Sequence, residues 1–290
     1  MKLGNCGESL RKYLTDKCEG AMLAGKKDYA PSKTPLKDRV RFRIPYYVSR
    51  VIQPGCDWAY VTLGGALLTD VRRLLEGLDP KHYPRKIISL YFNPDDDPKV
   101  ANEMIKQAET NAAQIQADYR LNSSIRCRWG TVESLEPSEL RSKKLVMFLD
   151  YEGTLESYCH EIGACVRNGV LKKGDLLFVT SCAREELIEP WRGKHRHQYR
   201  IRAEKPVAAF LGIRPDQVTS EDILKFHDLN KIRDQVRDSS FHHEKLDCRP
   251  IGNLVVYEDT IRMLWLPLQI VKLNSRIGPP GPKLEFLKRT

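Results

Sequence analysis

An α/β fold, with a doubly wound and mostly parallel sheet, follows from three features of this 290-residue sequence. Short apolar runs alternate with helical segments from Trp58 to Cys182, the pattern of βαβ units. The KKLVMFLDY run is apolar at nearly every position, as a strand covered on both faces must be. A helical insertion over 204–237 then precedes two apolar strands around a turn at Glu258-Asp259-Thr260, which read as a C-terminal antiparallel hairpin.

The elements follow in order. Residues 1–45 read as a helical and basic extension, with a short helix near Leu10 to Leu23 and a polar loop ending in APSKTP. In DRVRFRI, Arg39, Arg41 and Arg43 alternate with Val40, Phe42 and Ile44, which predicts a strand; Pro45 ends it and a helix through Tyr47 to Ile52 follows. WAYVTL is the first buried strand, and ALLTDVRRLLEGL is helical, with Leu67, Val71, Leu74, Leu75 and Leu78 on one face. KIISLYF is the second strand. DPKVANEMIKQAETNAAQIQADYR is a long helix with Pro98 in its first turn. SIRCRW and KKLVMFLDY give strands three and four, LESYCHEIGACVRNGV a helix, and GDLLFVTSC strand five. The core domain is expected over 46–272, with 273–290 as a tail. Right-handed crossovers gather the loops after the strands along one edge, where ligands of such sheets bind.

Hydrophobic residues at 41% and charged residues at 30% describe a soluble chain, and no apolar run reaches the roughly 18–20 residues of a membrane span. The start, MKLGNCGESLRKYL, lacks the apolar core of a secretory signal. Eight cysteines are scattered without a CxxC pair, which argues against a zinc ribbon or a disulfide scaffold and for free thiols in a reducing cytoplasm. The net charge of +10 favours polyanionic partners through phosphate neutralisation. Nucleic acid and protein partners in a complex are therefore expected, and a membrane is not.

Three strand ends carry the candidate chemistry. Thr62-Leu63-Gly64-Gly65-Ala66 follows strand one, where glycine lets backbone approach a ligand closely, or simply makes a tight turn. Strand two ends at Tyr91-Phe92-Asn93-Pro94, and Asp95, Asp96 and Asp97 beyond it suit a hydroxyl ligand or a helix N-terminus. Strand four ends in Asp150-Tyr151-Glu152-Gly153, where Asp150 reads as functional or as a strand-end carboxylate.

Five parallel strands closed by an antiparallel hairpin resemble the class I S-adenosylmethionine-dependent methyltransferases, over about Tyr46 to Lys272. The resemblance implies S-adenosylmethionine as cofactor, held by Gly64, Gly65 and Asn93. Thr131, in Gly130-Thr131-Val132-Glu133, stands in the adenine-contacting segment, and Asp150 would orient the methyl acceptor or take its proton. Thr62 and Asn93 stand where the family carries acidic residues. The DPPY tetrapeptide of amino-methylating DNA enzymes is absent. So are the strand-five lysine of ribose 2′-O-methylation and the Pro-Cys of base C5 methylation; Cys182 reads as a small buried hydrophobe. The Asp-x-x-Gly form is similar to the three-Cys-motif partner proteins.

After strand five, Arg192, Lys194, Arg196, Arg200 and Arg202 are interleaved with Trp191 and Tyr199, a phosphate-binding and stacking combination or a solvated basic loop. Arg39, Arg41, Arg43 and Arg50 among Phe42, Tyr46 and Tyr47 form a second basic-aromatic stretch, whose charges would alternatively guard a sheet edge. His242-His243 with Cys248, and Cys159-His160 with Cys165, lack the spacing of a metal site. Two functions follow: a methyltransferase acting on nucleic acid, or a degenerate methyltransferase fold serving as a nucleic-acid-binding or scaffold subunit.

Overall fold

The five apolar runs become β1 (Trp58–Leu63), β2 (Lys86–Tyr91), β3 (Ser124–Trp129), β4 (Lys144–Asp150) and β5 (Leu176–Cys182). Their mutual pairings are all parallel. The computed structural model describes residues 35–91, 98–151, 155–182, 204–209, 213–240, 245–258, 262–273 and 284–287. Its C-terminal strands are β6 (Leu246–Pro250), β7 (Leu254–Glu258), β8 (Arg262–Lys272) and β9 (Leu284–Leu287).

These strands form one sheet in the order β3-β2-β1-β4-β5-β8-β7-β9, with β6 also on β8. The expected antiparallel hairpin is β7–β8, and its second strand lies against β5, opposite in direction. Two strands escape the sequence reading. β6 is the five-residue LDCRP, broken by polar residues, and β9 is the four-residue LEFL within the stretch read as tail. Each is too short to show a period.

The helices are α1 (Pro35–Arg41), α2 (Arg43–Val51), α3 (Thr69–Gly77), α4 (Pro98–Asp118), the single turn α5 (Pro137–Leu140), α6 (Leu155–Arg167), α7 over 204–209, and α8 (Ser220–Ser239). Successive side chains of a strand point to opposite faces, so each central strand feeds two cores. Trp58, Tyr60, Val146, Phe148, Leu176 and Phe178 meet α1 to α4 on one face. Ala59, Val61, Met147, Leu149, Leu177 and Val179 meet α6 and α8 on the other. That double burial explains the nearly unbroken apolar runs. Thr219 and Asp222 cap α8 reciprocally, and Asp247 of β6 accepts from Arg233 and Arg237 of that helix. Among the described residues no helix is long and apolar enough to cross a membrane.

The strand expected over Arg39 to Ile44 is helical instead, belonging to α1 and the start of α2. Val40, Ile44, Val48 and Ile52 recur every four residues and are at most 3% exposed. That helical stripe outweighs the shorter alternation of arginines, because it buries four branched side chains in one core. Pro45 sits in the first turn of α2, where its missing N–H costs nothing. The helix expected near Leu10 to Leu23 lies outside the described residues.

Candidate functional site

β1 has β2 on one side and β4 on the other, so the chain's winding reverses between β1 and β4. Ligands of doubly wound sheets bind at the carboxyl edge of such a point. Thr62 pairs with Phe148 in the β1–β4 register, which carries Gly64 to the level of Asp150. Thr131 follows β3 on the same edge. The sequence-derived candidates Gly64, Gly65, Thr131 and Asp150 therefore share one edge. Asn93, and Arg192, Lys194, Arg196, Arg200, Arg202, Trp191 and Tyr199 of the basic loop, lie outside the described residues.

The turn after β1 is held from several sides. The Gly64 amide donates to the Leu90 carbonyl at 3.0 Å, extending the β1–β2 pairing by a residue. Asn111 of α4 donates to the Ala66 carbonyl at 2.9 Å in a buried bond. Leu68, at φ 50 and fully buried, turns the chain into α3 in a left-handed conformation that is unusual for a branched residue. A Cβ on Gly64 would stand 2.2 Å from Ser89 Oγ and 3.6 Å from Leu68 Cδ2. Any larger residue here would have to displace the Ser89 hydroxyl, which fills the adjoining space. Gly65, by contrast, is exposed.

The turn after β3 is also glycine-dependent. Gly130 has φ 147 and donates to the Tyr91 carbonyl at 3.0 Å. Thr131 is half-buried, and its carbonyl accepts from the Ser134 hydroxyl at 2.6 Å.

Asp150 lies deep. Its side chain is 8% exposed, and Oδ2 receives Lys37 Nζ at 2.8 Å and Arg41 Nη2 at 3.4 Å, cations themselves 4% and 9% exposed. Thr180 of β5 donates to Oδ1. Burial alone would raise this carboxyl. The Lys37 and Arg41 charges and the bonds from Lys37 and Thr180 outweigh it, holding Asp150 below the ordinary carboxylate range. A carboxylate so held is a weak proton acceptor, since a general base works best with a pKa near the operating pH.

The same cluster supplies an acid that the sequence reading missed. Thr62 near the end of β1 donates its hydroxyl to Asp70 in the first turn of α3. Burial pushes the Asp70 carboxyl up, against the pull of Arg41 and of the Thr62 hydroxyl. Burial, and then Asp70, push the Tyr60 phenol well up, which keeps it neutral. Lys37 and Arg41, one helical turn apart on α1, thus both meet Asp150, and the Arg41 charge also acts on Asp70. Nothing local to Asp150 announces them, although the i, i+4 pair is visible in α1 once its helical register is known. On the opposite face, Ser181 of β5 donates to Asp228 of α8 at 3.0 Å, and His227 Nδ1 meets the other Asp228 oxygen at 3.3 Å.

Two features of the described residues bear on the cofactor that the resemblance implies. Ser89 fills the space beside Gly64, and α1 covers Asp150. A cavity of about 80 Å³ lies at the other edge of the sheet, lined by Leu140, Lys144, Val170 and Asp175 among others, and is smaller than the roughly 300 Å³ of the smallest typical ligand sites.

No family profile matches the sequence, and neither does any curated protein. Solved structures similar to the chain include methyltransferases. One is a magnesium protoporphyrin IX methyltransferase from Synechocystis PCC 6803 with bound SAH, at 10% identity and a TM-score of 0.44, covering 84% of this chain and 88% of that one. Another is a small RNA methyltransferase, at 12% identity and a TM-score of 0.42, covering 84% of this chain and 26% of that one. A third, EvdMO1, is 9% identical with a TM-score of 0.39, covering 80% and 41%. The chain thus spans less than half the length of the last two. The α/β class rests on the strand order and directions set out above.

Proposed function

We propose that this chain is a methyltransferase-fold protein whose cofactor crevice is closed by its own helix α1, and that it serves as a nucleic-acid-binding scaffold subunit of a larger complex in the cytoplasm. The observation that carries this reading is the engagement of both Asp150 oxygens by Lys37, Arg41 and Thr180. The carboxylate that would orient a methyl acceptor instead anchors α1. The net charge of +10 supports a polyanionic partner, for which Arg196 and Arg200 are proposed phosphate contacts. The Asp-x-x-Gly pattern at 150–153 makes the three-Cys-motif partner proteins the group proposed for comparison.

A second reading, an active S-adenosylmethionine-dependent methyltransferase, draws support from the exposed Gly65 and the Gly130-Thr131 turn at the ligand-bearing edge. Calorimetric titration of S-adenosylmethionine into the full chain, with and without a mixed nucleic-acid pool, separates the two. The scaffold reading expects no binding at micromolar cofactor. It also expects nucleic-acid binding that weakens in an Arg196→Gln, Arg200→Gln variant. Micromolar cofactor binding in either condition would overturn it in favour of the enzyme.

A further inference from the structure

Helix α1, which carries Lys37 and Arg41 inward, and α2 after it present a different surface outward. Arg39, Phe42, Arg43, Tyr46 and Arg50 follow one another at helical spacing along α1 and α2, on the face opposite Val40, Ile44 and Val48. Arg39 and Arg50 are exposed, and Phe42 and Tyr46 are 45% and 53% exposed, unusual values for side chains of this size. α2 contains no acidic residue.

The aromatic rings are positioned rather than loose. The Arg50 guanidinium lies 5.1 Å above the Tyr46 ring centroid and bonds the Tyr46 hydroxyl. Tyr46 also meets the ring of Tyr47 edge-on at 5.3 Å, and Tyr47 packs in turn against Phe178 and Trp265. Arg73, itself buried, lies 4.7 Å from the Phe42 centroid and supports that ring from α3. Two fixed planar groups flanked by guanidinium charges suit a chain that offers bases and phosphates together. A duplex offers only its phosphates to such a surface, because its bases are already stacked.

We propose that the outer face of α1–α2 binds single-stranded nucleic acid, with bases stacking on Tyr46 and Phe42 and phosphates on Arg39 and Arg50. The proposal rests on the reading that this chain engages nucleic acid, and it names contact residues other than those of the 191–202 stretch. Because α1 also bears Lys37 and Arg41, this contact would lie on the helix that closes the Asp150 site.

The test is fluorescence anisotropy on the full chain, with a labelled oligothymidine of about 20 nucleotides, the matching duplex, heparin, and anionic phosphatidylserine vesicles. The single strand is expected to bind more tightly than the duplex. Tyr46→Ala should weaken single-strand binding about tenfold while leaving heparin binding unchanged, and Tyr46→Phe should restore it to within about twofold. Arg50→Gln should reduce the slope of log affinity against log salt by about 0.7, the value for one phosphate on a single strand. Thermal melts of each variant confirm that the fold is retained. Wild-type protein that binds no nucleic acid would overturn both this surface and the nucleic-acid reading. Wild-type binding that is unaffected in Tyr46→Ala and Arg50→Gln would overturn this surface alone. Preference for vesicles over the oligonucleotide, lost in Tyr46→Ala, would overturn it in favour of a lipid surface.

Discussion

A buried carboxyl sits at each end of the parallel β4–β5 pair, Asp175 just before β5 and Asp150 at the end of β4, and the two are managed in opposite ways. At the amino end, Asp175 accepts the backbone amides of Leu145 at 2.9 Å and Lys172 at 2.7 Å. Burial dominates there and pushes its pKa up to about 6, despite those two bonds. At the carboxyl end, the Asp150 side chain is 8% exposed and is met by Lys37 and Arg41, which hold its pKa below the ordinary range despite its burial. Asp175 ties the start of β5 to the start of β4, whereas Asp150 binds a helix more than a hundred residues away in sequence. The hydrogen bonds to Asp175 come from backbone amides, whereas Asp150 is met by two cations of α1 and the Thr180 hydroxyl.

The largest expected effect is at the carboxyl end. Asp150→Ala leaves Lys37 and Arg41 buried without their shared anion, and should cost ~3–5 kcal/mol in urea unfolding. Combining Asp150→Leu with Lys37→Met and Arg41→Met should recover much of that loss, since an apolar replacement of a buried ion cluster is often neutral. A loss below about 1 kcal/mol for Asp150→Ala would show an open, solvated site.

Next in size is the turn beside it. Gly64→Ala drives a methyl group into Ser89 Oγ and should cost ~1–3 kcal/mol, with Ser89→Ala in the same chain relieving most of it. An unchanged melting temperature in Gly64→Ala would mean that Ser89 does not fill the space.

The pH dependence comes third and has opposite sign at the two ends. Asp175 titrates higher in the folded chain than in the unfolded one, so stability declines as pH rises from about 4 to about 6 and levels off above. Asp175→Asn should flatten that segment of the curve. Asp150 titrates lower when folded, so its contribution is present above about pH 4 and is lost as pH falls below it. Unfolding curves measured from pH 3 to 7 on wild type, Asp175→Asn and Asp150→Asn would separate the two.

How far these features could be read from the sequence differs by region. β1, β2, β4 and β5 are legible because parallel strands buried on both faces leave almost no polar position to confuse the pattern. α1 and α2 are not, because three alternating arginines imitate a strand over a window too short to show the four-residue recurrence from Val40 to Ile52. Asp150 is legible as a carboxylate at a strand end, but its protection by Lys37 and Arg41 is a tertiary fact without a local signal. Asp70 lies only eight residues from Thr62, yet an acid in a helix's first turn already has an ordinary explanation in the helix dipole.

Whether Lys37 and Asp150 are coupled decides if α1 is held over this site, and a double-mutant cycle with Lys37→Met, Asp150→Ala and their combination measures that directly. A coupling of about 1–3 kcal/mol is expected for a buried pair at this separation. Single-variant losses that add to within about 0.5 kcal/mol would show that α1 does not close over Asp150, and the scaffold reading would lose its foundation.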